Sequence, residues 1–376
     1  MPMPSIRIVH LTSAHPRDDI RIFHKECISL VGAGYEVHLV VADNRGRELR
    51  QGVTIHDVGQ RGGRLARVVG ATWRVWKQAL ALNAQAFHLH DPELLWVGLV
   101  LATKGKTVIF DSHEDVPLQI LNKPYLPRFA LYLISKVYAV VERYACSRFS
   151  GVVAATPFIG AKFSAINPGT VIVCNYPILS EFLPSENWDE KPCEICYVGG
   201  LSVVRGVRQM VAAMSHVRTP VRLNLVGGFS EVSLVGEVQA NPGWKKVDQH
   251  GVLGRDGVSR VYARSRAGLV TLLPIPNYLD SLPIKMFEYM SAGIPVIASN
   301  FDLWREIVDQ HECGLCVNPK KPEEIASAID YLMTHPAEAK KMGENGRQAV
   351  LSRFNWCNEE KKLVEFYRRL AIKKIN

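Results

Sequence analysis

Short apolar runs, each bounded by glycine, proline or polar residues, recur along the chain and alternate with segments of helical periodicity. The runs predict strands at residues 6–11, 35–42, 87–91, 107–111, 151–155, 170–174, 194–198, 221–226, 247–251 and 295–298. Because strands that alternate with helices form parallel sheets, this pattern predicts an α/β fold.

Two predicted helices combine apolar and basic residues. The first, residues 64–83, sets Arg67, Arg74 and Lys77 among valines and tryptophans, and the second, near residues 129–148, is more strongly apolar with basic flanks. We expect the first to pack on a sheet with a solvated basic face and the second to lie in the core. The alternative for both is contact with an anionic membrane surface, which makes the protein a possible peripheral membrane protein.

The length of 376 residues predicts two domains. Residues 176–192 are rich in proline and acids and lack a clear period, so they predict a linker. The predicted division is therefore an N-terminal domain of residues 1–175, the linker, a C-terminal domain of residues 193–355, and a basic amphipathic helix of residues 356–376.

The composition is that of an ordinary globular protein, with 47% hydrophobic and 22% charged residues. No apolar run reaches the ~20 residues that a membrane span needs, and the N-terminus lacks a signal-peptide core. These features predict a cytoplasmic protein with reduced cysteines.

The net charge of +9 is uneven, since residues 1–175 hold 20 Lys+Arg against 13 Asp+Glu (+7) and the remainder 25 against 23 (+2). The basic half suits an anionic membrane or a phosphorylated acceptor. Nucleic acid is not expected as a partner, because we find no nucleic-acid motif.

The segment of residues 277–299 (NYLDSLPIKMFEYMSAGIPVIAS) predicts a loop, a helix and a buried strand. Pro283 suits the first turn of a helix, where its missing N–H is no loss. Gly293 suits the C-terminal end of that helix. The segment therefore places a helix N-terminus directly after a polar loop.

Two acids flank this predicted helix start. Asp280 lies on the entering loop beside Ser281 and Leu282, and Glu288 lies about a turn and a half into the helix. The N–H groups of the helix start, together with Lys285, form an anion site. Acids on either side of that site would bind hydroxyl groups on either side of a diphosphate, which is the outline of a nucleotide-sugar.

A glycine turn follows the strand predicted at residues 194–198. Gly199 and Gly200 would let the backbone approach a phosphate closely, and Arg205 follows with a positive charge. This turn predicts a second set of phosphate contacts.

The loop after the first strand carries His15, Arg17 and Arg21. Open α/β sheets bind ligands at the carboxyl ends of their strands, so these side chains are candidates for substrate contact. The alternative is a polar loop in which Asp18 or Asp19 caps the next helix.

His113 lies just beyond the strand predicted at residues 107–111, between Asp111, Glu114 and Asp115. A lone histidine is usually structural, but its place at a strand end among acids favours a role in a site.

The acid at 280, the seven residues after it and Glu288 resemble the nucleotide-sugar signature of the retaining family-4 glycosyltransferases. The resemblance extends along nearly the whole chain and is of the bacterial surface-polysaccharide type. It implies the GT-B fold, with two Rossmann-like domains facing a cleft and a C-terminal helix that crosses back to the first domain.

The resemblance also implies roles for residues. Asp280 would bind sugar hydroxyls, Glu288 the ribose and His113 the sugar close to its reacting carbon. Arg205 and Lys285 would bind the diphosphate. Further donor contacts are implied at the glycine turn, at the loop before the helix and at the base-binding turn, namely Gly199, Gly200, Ser281, Leu282, Val252 and Leu253. The loop with His15, Arg17 and Arg21 would lie on the acceptor side.

The chain contains no Asp-x-Asp pair of the kind that holds a sugar diphosphate through Mg²⁺ or Mn²⁺. We therefore expect no metal and no cofactor, with fixed cations in the metal's place. A Gly-x-Gly-x-x-Gly after the first strand and a Gly-x-Ser-x-Gly elbow are also absent, which excludes dinucleotide and hydrolase motifs.

Two Cys-x-x-Cys pairs, Cys193/Cys196 and Cys313/Cys316, contain the residues of a four-cysteine zinc site. Both pairs fall at predicted strands, where positions i and i+3 point to opposite faces. We therefore expect no zinc site.

The sequence thus predicts a metal-independent, retaining glycosyltransferase. Its donor would be a UDP- or GDP-sugar, and its acceptor a glycan or lipid-linked hydroxyl. Two alternatives stay open, a nucleotide-sugar epimerase of the same fold and a catalytically silent partner protein. The second is possible because Gly200 stands where the family commonly has an arginine.

Overall fold

A computed structural model describes residues 6–60, 64–121, 126–182 and 187–370, with the side chains of residues 64–69 left out. The chain divides into two compact units. Met1–Asn175 and Glu359–Asn376 form the first, and Tyr176–Asn358 forms the second.

The first unit is built on an eight-stranded sheet. Its strands are β1 (Arg7–Leu11), β2 (Glu36–Val41), β3 (Glu48–Arg50), β4 (Val53–Asp57), β5 (Ala86–Leu89), β6 (Thr107–Ser112), β7 (Gly151–Ala154) and β8 (Thr170–Ile172). Their order is β3-β4-β2-β1-β5-β6-β7-β8, and only the pairing of β3 with β4 is antiparallel.

The helices of this unit connect the parallel strands. They are α1 (Ile28–Gly32), α2 (Arg64–Leu82), α3 (Leu95–Thr103), α4 (Val116–Leu121), α5 (Arg128–Cys146) and α6 (Pro157–Ser164). A π-helical segment, Ile20–Cys27, leads into α1. The Asp19 side chain caps it by accepting hydrogen bonds from the N–H groups of Arg21 and Ile22.

The core of the first unit lies between the central strands and the helices. Val9, Phe87 and Phe110 of β1, β5 and β6 are buried together with Val75 of α2 and Ala145 of α5. These strands are almost entirely buried, as expected for a parallel sheet that helices cover on both faces.

The second unit contains a six-stranded, fully parallel sheet. Its strands are β9 (Glu194–Val198), β10 (Arg222–Val226), β11 (Val247–Gly251), β12 (Gly268–Val270), β13 (Val296–Ser299) and β14 (Gly314–Val317), in the order β11-β10-β9-β12-β13-β14. Its helices are α7 (Val207–His216), α8 (Val232–Ala240), α9 (Arg255–Arg264), α10 (Pro276–Leu279), α11 (Ile284–Ser291), α12 (Asp302–Gln310), α13 (Pro322–Thr334) and α14 (Pro336–Ser352).

The last described helix, α15 (Trp356–Arg369), passes from the second unit to the first. Within the first unit, Tyr367 Oη lies 2.8 Å from His88 Nδ1, and Glu359 accepts a hydrogen bond from the Cys174 N–H. The predicted α/β fold with two Rossmann-like domains and a returning C-terminal helix is confirmed.

Some expectations about elements were wrong. The structure adds β3 and β4, which the apolar pattern did not predict. Pro283 precedes α11 as its cap residue rather than lying in its first turn. The helix expected in the core, α5, exposes much of its apolar surface. Among the described residues, no helix is both long and apolar enough to cross a bilayer.

Candidate functional site

The glycine turns after β9 and β10 bring two stretches of backbone into contact. Gly199 has φ of +141° and Gly227 has φ of +140°, a region that L side chains rarely adopt. A Cβ on Gly227 would lie 2.0 Å from the Gly199 carbonyl oxygen. Only glycine permits this approach, so the turn that the sequence predicted as a phosphate site is tightly determined.

Two cations lie over this turn. A Cβ on Gly199 would lie 2.8 Å from Lys285 Nζ and 3.4 Å from Arg205 Nη1. The Lys285 ammonium is 3.8 Å from the centre of the Tyr197 ring, and Tyr197 is the last but one residue of β9. The structure therefore brings together Arg205, Lys285 and the glycine turn, which the sequence had placed in separate segments.

The Lys285 ammonium is buried and has no hydrogen-bond partner among the described residues. Burial and the neighbouring Arg205 guanidinium hold the pKa of Lys285 well below its usual range, against the pull of the Glu288 carboxylate. An unpaired buried amine costs free energy. A bound anion would supply the missing partner and favour the charged form.

The start of α11 is fixed next to this turn. The Val198 N–H donates to Tyr289 Oη at 3.1 Å, which ties α11 to the end of β9. The Trp304 Nε1–H donates to the Ser281 carbonyl at 2.7 Å, which holds the loop before the helix. Asp280 on that loop is exposed, so its carboxylate is available to a ligand.

Glu288 is less accessible than the sequence suggested. Its side chain is 8% exposed, and its carboxylate accepts hydrogen bonds from Tyr262 Oη at 2.8 Å and Arg255 Nη1 at 2.9 Å. Arg255 also pairs with Glu181. Glu288 is therefore a buried acid with two hydrogen-bond partners, and its assignment to the ribose stays a prediction.

The turn after β11 presents an exposed apolar residue. Val252 is 81% exposed, and its Cγ2 would lie 3.5 Å from a Cβ on Gly228. Leu253 packs beside Gly257 at the start of α9. Val252 therefore lies beside the glycine turn after β10. The base-binding role of Val252 and Leu253 stays a prediction.

In the first unit, His113 is held by a buried acid. Its Nε2 lies 2.7 Å from Asp111 Oδ2, and its side chain is 22% exposed. Arg21 donates to both carboxylate oxygens of Asp111 at 2.8 Å and to the Val173 carbonyl at 2.9 Å. Arg21 thus orients Asp111, which orients His113.

The three candidate side chains on the first loop, His15, Arg17 and Arg21, differ in their burial and in their partners. His15 lies 3.2 Å from Asp19 and 3.4 Å from Asp91, with its ring centre 5.3 Å from that of His113. Burial would lower the pKa of His15, but these two carboxylates outweigh it and raise the pKa. His15 and His113 come together, as a substrate-binding loop requires.

The two arginines of that loop are buried instead of facing a ligand. Arg17 is 1% exposed and forms two 2.7 Å hydrogen bonds with Asp43 and one of 2.8 Å with Glu48. Arg21 is 3% exposed and committed to Asp111. We correct both acceptor-side assignments to structural ones, because buried paired guanidinium groups have no free donors facing solvent.

A buried polar cluster escaped the sequence analysis. His10, Glu26, His88 and His90 are almost fully buried, and one ligand atom of each lies within 4.8 Å of the others. Burial lowers the pKa values of the histidines and raises that of Glu26. The His-x-His spacing in β5, which places both rings on one face, was the available signal.

These four residues have the types of atoms that hold a metal ion. However, His10 Nδ1 and His90 Nε2 share a 2.9 Å hydrogen bond, and Arg21 lies 3.1 Å from Glu26. The guanidinium supplies the positive charge beside the acid that a metal ion would otherwise supply. We therefore describe the group as a buried polar cluster next to Arg21 that is only partly hydrogen-bonded, since both Glu26 carboxylate oxygens lack a hydrogen-bond partner among the described residues.

The Cys-x-x-Cys pairs are on separate strands of the second sheet. β9 and β14 are separated by β12 and β13, which corresponds to ~14 Å at the usual strand spacing. Each of the eight cysteines lies in the described part of the chain and is a free thiol. The two pairs cannot form one four-cysteine site.

Each unit contains a sheet of Rossmann type, and in the second unit glycine turns and two cations, Arg205 and Lys285, meet at the strand ends. This arrangement indicates an α/β protein that binds a nucleotide. Family comparison agrees. Residues 23–174 match the model described as Glycosyltransferase Family 4, and residues 180–349 match Glycosyl transferases group 1. The two models together match most of the chain, which belongs to the family-4 glycosyltransferases.

Curated relatives match over part of their length. An uncharacterised glycosyltransferase of Methanocaldococcus jannaschii is 25% identical over 48% of this chain and 45% of its own. The MMP alpha-(1->4)-mannosyltransferase of Mycolicibacterium hassiacum is 25% identical over 44% and 40%. The chain thus spans less than half the length of these relatives.

Solved structures match over nearly the whole chain. Sucrose-phosphate synthase of Thermosynechococcus elongatus has a TM-score of 0.80 at 20% identity, covering 98% of this chain and 99% of its own. WaaG, involved in lipopolysaccharide biosynthesis, has a TM-score of 0.74 at 14% identity, covering 96% and 99%. Anabaena HepE in complex with UDP-glucose has a TM-score of 0.73 at 15% identity, covering 97% and 100%. At these identities the likeness shows the GT-B fold.

Proposed function

We propose that this glycosyltransferase moves a sugar, with retention and without a metal ion, from a nucleoside-diphosphate sugar to an acceptor hydroxyl. The observation that carries the proposal is the buried, unpartnered Lys285 ammonium beside Arg205 at the glycine turn after β9. Such cations are arranged for a polyanion, and a diphosphate fits the helix N-terminus beside them.

The reaction breaks the bond between the anomeric carbon and the diphosphate oxygen, and the electron pair leaves with the diphosphate. Lys285 and Arg205 stabilise the charge that develops there. The acceptor oxygen forms the new bond on the same face of the sugar, and its proton passes to the departing phosphate oxygen. Asp280 binds sugar hydroxyls, and Glu288 binds the ribose.

His113 is proposed to contact the sugar near its reacting carbon. Support comes from its position at the end of β6 and from the Asp111 contact that fixes its ring. The base is proposed to rest on Val252 and Leu253. The donor class is a UDP- or GDP-sugar, supported by the UDP-glucose bound to HepE, and the acceptor is a glycan or lipid-linked hydroxyl.

Replacement of Lys285 tests the anion site. Lys285→Met removes a buried amine that has no hydrogen-bond partner among the described residues and keeps an apolar side chain beside the Tyr197 ring, so the folded protein should be as stable as the wild type or more so. Donor affinity should fall, because a charge-assisted hydrogen bond is worth about 1.5–3 kcal/mol, or roughly tenfold to 150-fold. Calorimetric titration with UDP, GDP and their sugars, together with thermal unfolding, measures both effects.

Lys191 offers the matched control. It is buried in the same unit, but its Nζ donates to the Ser265 carbonyl at 2.9 Å and lies 4.6 Å from the Trp188 ring. Lys191→Met should lower stability and leave donor affinity unchanged. Equal donor affinity in wild type and Lys285→Met would overturn the site. Donor epimerisation without transfer, or donor binding without any turnover, would overturn the transfer reaction.

Metal independence has its own measurement. Because fixed cations neutralise the diphosphate, transfer should proceed at an unchanged rate after EDTA treatment. The readout is transfer rate with EDTA, and with Mg²⁺ or Mn²⁺ added back. Loss of activity that either cation restores would contradict this part of the proposal.

A further inference from the structure

Helix α5 exposes a continuous apolar surface on the first unit. Large hydrophobic side chains between 44% and 78% exposed occupy eight of its nineteen positions, namely Phe129, Tyr132, Leu133, Ile134, Val137, Val140, Val141 and Tyr144. We call these residues the α5 face. Soluble proteins rarely expose so many large apolar side chains together, and such patches mark interaction sites.

The helix geometry arranges this face in an ordered way. At 100° per residue, seven of the eight positions, from Phe129 round to Ile134, fall within an arc of ~140°. Lys136 and Arg143 fall beside Tyr132 along one edge of that arc. The opposite side of the helix, including Leu131 and Ala145, is buried against the unit.

The exposed charged side chains of α5 are all positive. Its one acid, Glu142, is buried and pairs with Lys162 of α6 at 2.7 Å. Arg128 begins the helix and Arg148 follows it, with the Arg148 guanidinium 3.5 Å from the Tyr144 ring. Every residue of Arg128–Cys146 is described, and none of its exposed side chains is a carboxylate.

We propose that the α5 face binds the surface of an anionic lipid bilayer. Apolar side chains would enter the boundary of headgroups and acyl chains, while the flanking cations meet lipid phosphates. Tyrosines beside cations suit this boundary, because each has an apolar body and a polar tip. A second copy of the chain fits less well, because its cations would meet cations with no carboxylate to pair them.

The sequence analysis allowed membrane contact at both α2 and α5, and the structure favours α5. Arg74 donates to the carbonyls of Val58 at 2.9 Å and Gly59 at 2.7 Å, so its guanidinium is occupied. The side chain of Arg67 lies outside the described residues. Lys77 lies 5.7 Å from the half-exposed Trp73 ring, which adds at most one cation.

Vesicle flotation of the full chain tests the proposal. Wild-type protein should float with vesicles of phosphatidylcholine and phosphatidylglycerol at low salt, bind pure phosphatidylcholine more weakly, and be released at high salt. Leu133→Asp combined with Val140→Asp should abolish flotation. Lys136→Glu with Arg143→Glu should weaken binding to the mixed vesicles about tenfold or more.

Val232→Asp is the control, because Val232 is 92% exposed in the second unit and lies on α8. It should float like the wild type. Flotation of the Leu133/Val140 variant at the wild-type level would overturn the proposal. So would a wild-type dimer in solution that this variant converts to monomer, without lipid binding by either form.

The proposal does not depend on the donor chemistry. Donor hydrolysis by the α5 variants should equal that of the wild type, since no residue of the α5 face belongs to the donor site. Circular dichroism and thermal unfolding confirm that each variant is folded. An unfolded double variant is replaced by Val140→Asp alone, which changes one side chain that is 69% exposed.

Discussion

At the scale of single residues, neighbours decide what each candidate side chain can do. Glu288, Arg17 and Arg21 are charged residues near predicted ligand-binding turns, yet each is buried and paired. Lys285 is the opposite case, since its buried Nζ has no hydrogen-bond partner in the described part of the chain. A buried cation without a partner is a stronger sign of an anion site than an exposed one.

Glu288 should affect both stability and donor binding. Glu288→Ala leaves Tyr262 and Arg255 without their acceptor, which should lower the free energy of unfolding by about 1–3 kcal/mol. Glu288→Gln keeps the shape and one acceptor oxygen, so most of the stability should remain while affinity for the ribose hydroxyls falls. Urea unfolding and donor titration measure the two effects. Wild-type donor affinity in Glu288→Gln would remove this residue from the site.

At the scale of elements, glycine turns connect the strand ends to the site. The second turn fixes the first, because Gly227 approaches the Gly199 carbonyl too closely for any side chain. The turn after β9 in turn carries Arg205 and faces Lys285. The geometry of the anion site therefore depends on backbone contacts as much as on its cations.

Gly227→Ala should damage this arrangement. Its Cβ would clash with backbone at 2.0 Å in a conformation unfavourable to alanine, so we expect a loss of about 2–4 kcal/mol in unfolding free energy and weaker donor binding. Gly236→Ala in the middle of α8 is the control, because its Cβ would meet nothing within 4 Å. That change should be neutral or stabilising by up to about 1 kcal/mol. Equal stabilities of the two variants in urea would contradict the argument.

At the scale of the whole molecule, two sheets with separate cores hold distinct chemistry. The second unit contains the proposed anion site, and the first contains the neighbouring His15 and His113 and the buried histidine cluster. The cluster makes the stability of the first unit sensitive to acid, because its imidazoles are neutral in the folded state.

Acid should destabilise the protein below about pH 6.5, the ordinary pKa of histidine. The folded pKa values of His10, His88 and His90 are lowered, so the unfolded chain takes up protons there that the folded chain does not. Each histidine that stays neutral in the folded state lowers the free energy of unfolding by up to about 1.4 kcal/mol for each pH unit of acidification. Glu26 acts in the opposite direction, because its raised pKa favours the folded state at low pH, but it is one group against three.

Thermal unfolding between pH 8 and pH 5 measures this loss. The charged and titratable groups that face the cluster are Arg21, Cys27, Asp111, His113 and Tyr367. His88→Gln should reduce the pH dependence, whereas His216→Gln, at an exposed position on α7, should leave it unchanged. A pH dependence identical in all three proteins would refute the assignment.

The sequence by itself determined most of the strands, and it predicted the donor segment. β9 matches its predicted ends, because a short apolar run bounded by polar residues and glycine forms a strand wherever it lies. The glycine turn, Arg205, Lys285 and Asp280 could be found for the same reason, since their chemistry follows from local order along the chain. The family resemblance then connected segments that periodicity alone leaves apart.

The tertiary structure decided which side chains are available. Arg17 pairs with Asp43, 26 positions away, and Arg21 pairs with Asp111, 90 positions away. A local sequence pattern cannot predict partners at such distances along the chain. The apolar periodicity of α5 is the same for a helix in the core and for one at a surface. Only its packing, with one side buried and eight large side chains exposed, separates the two, because burial depends on contacts between distant parts of the chain.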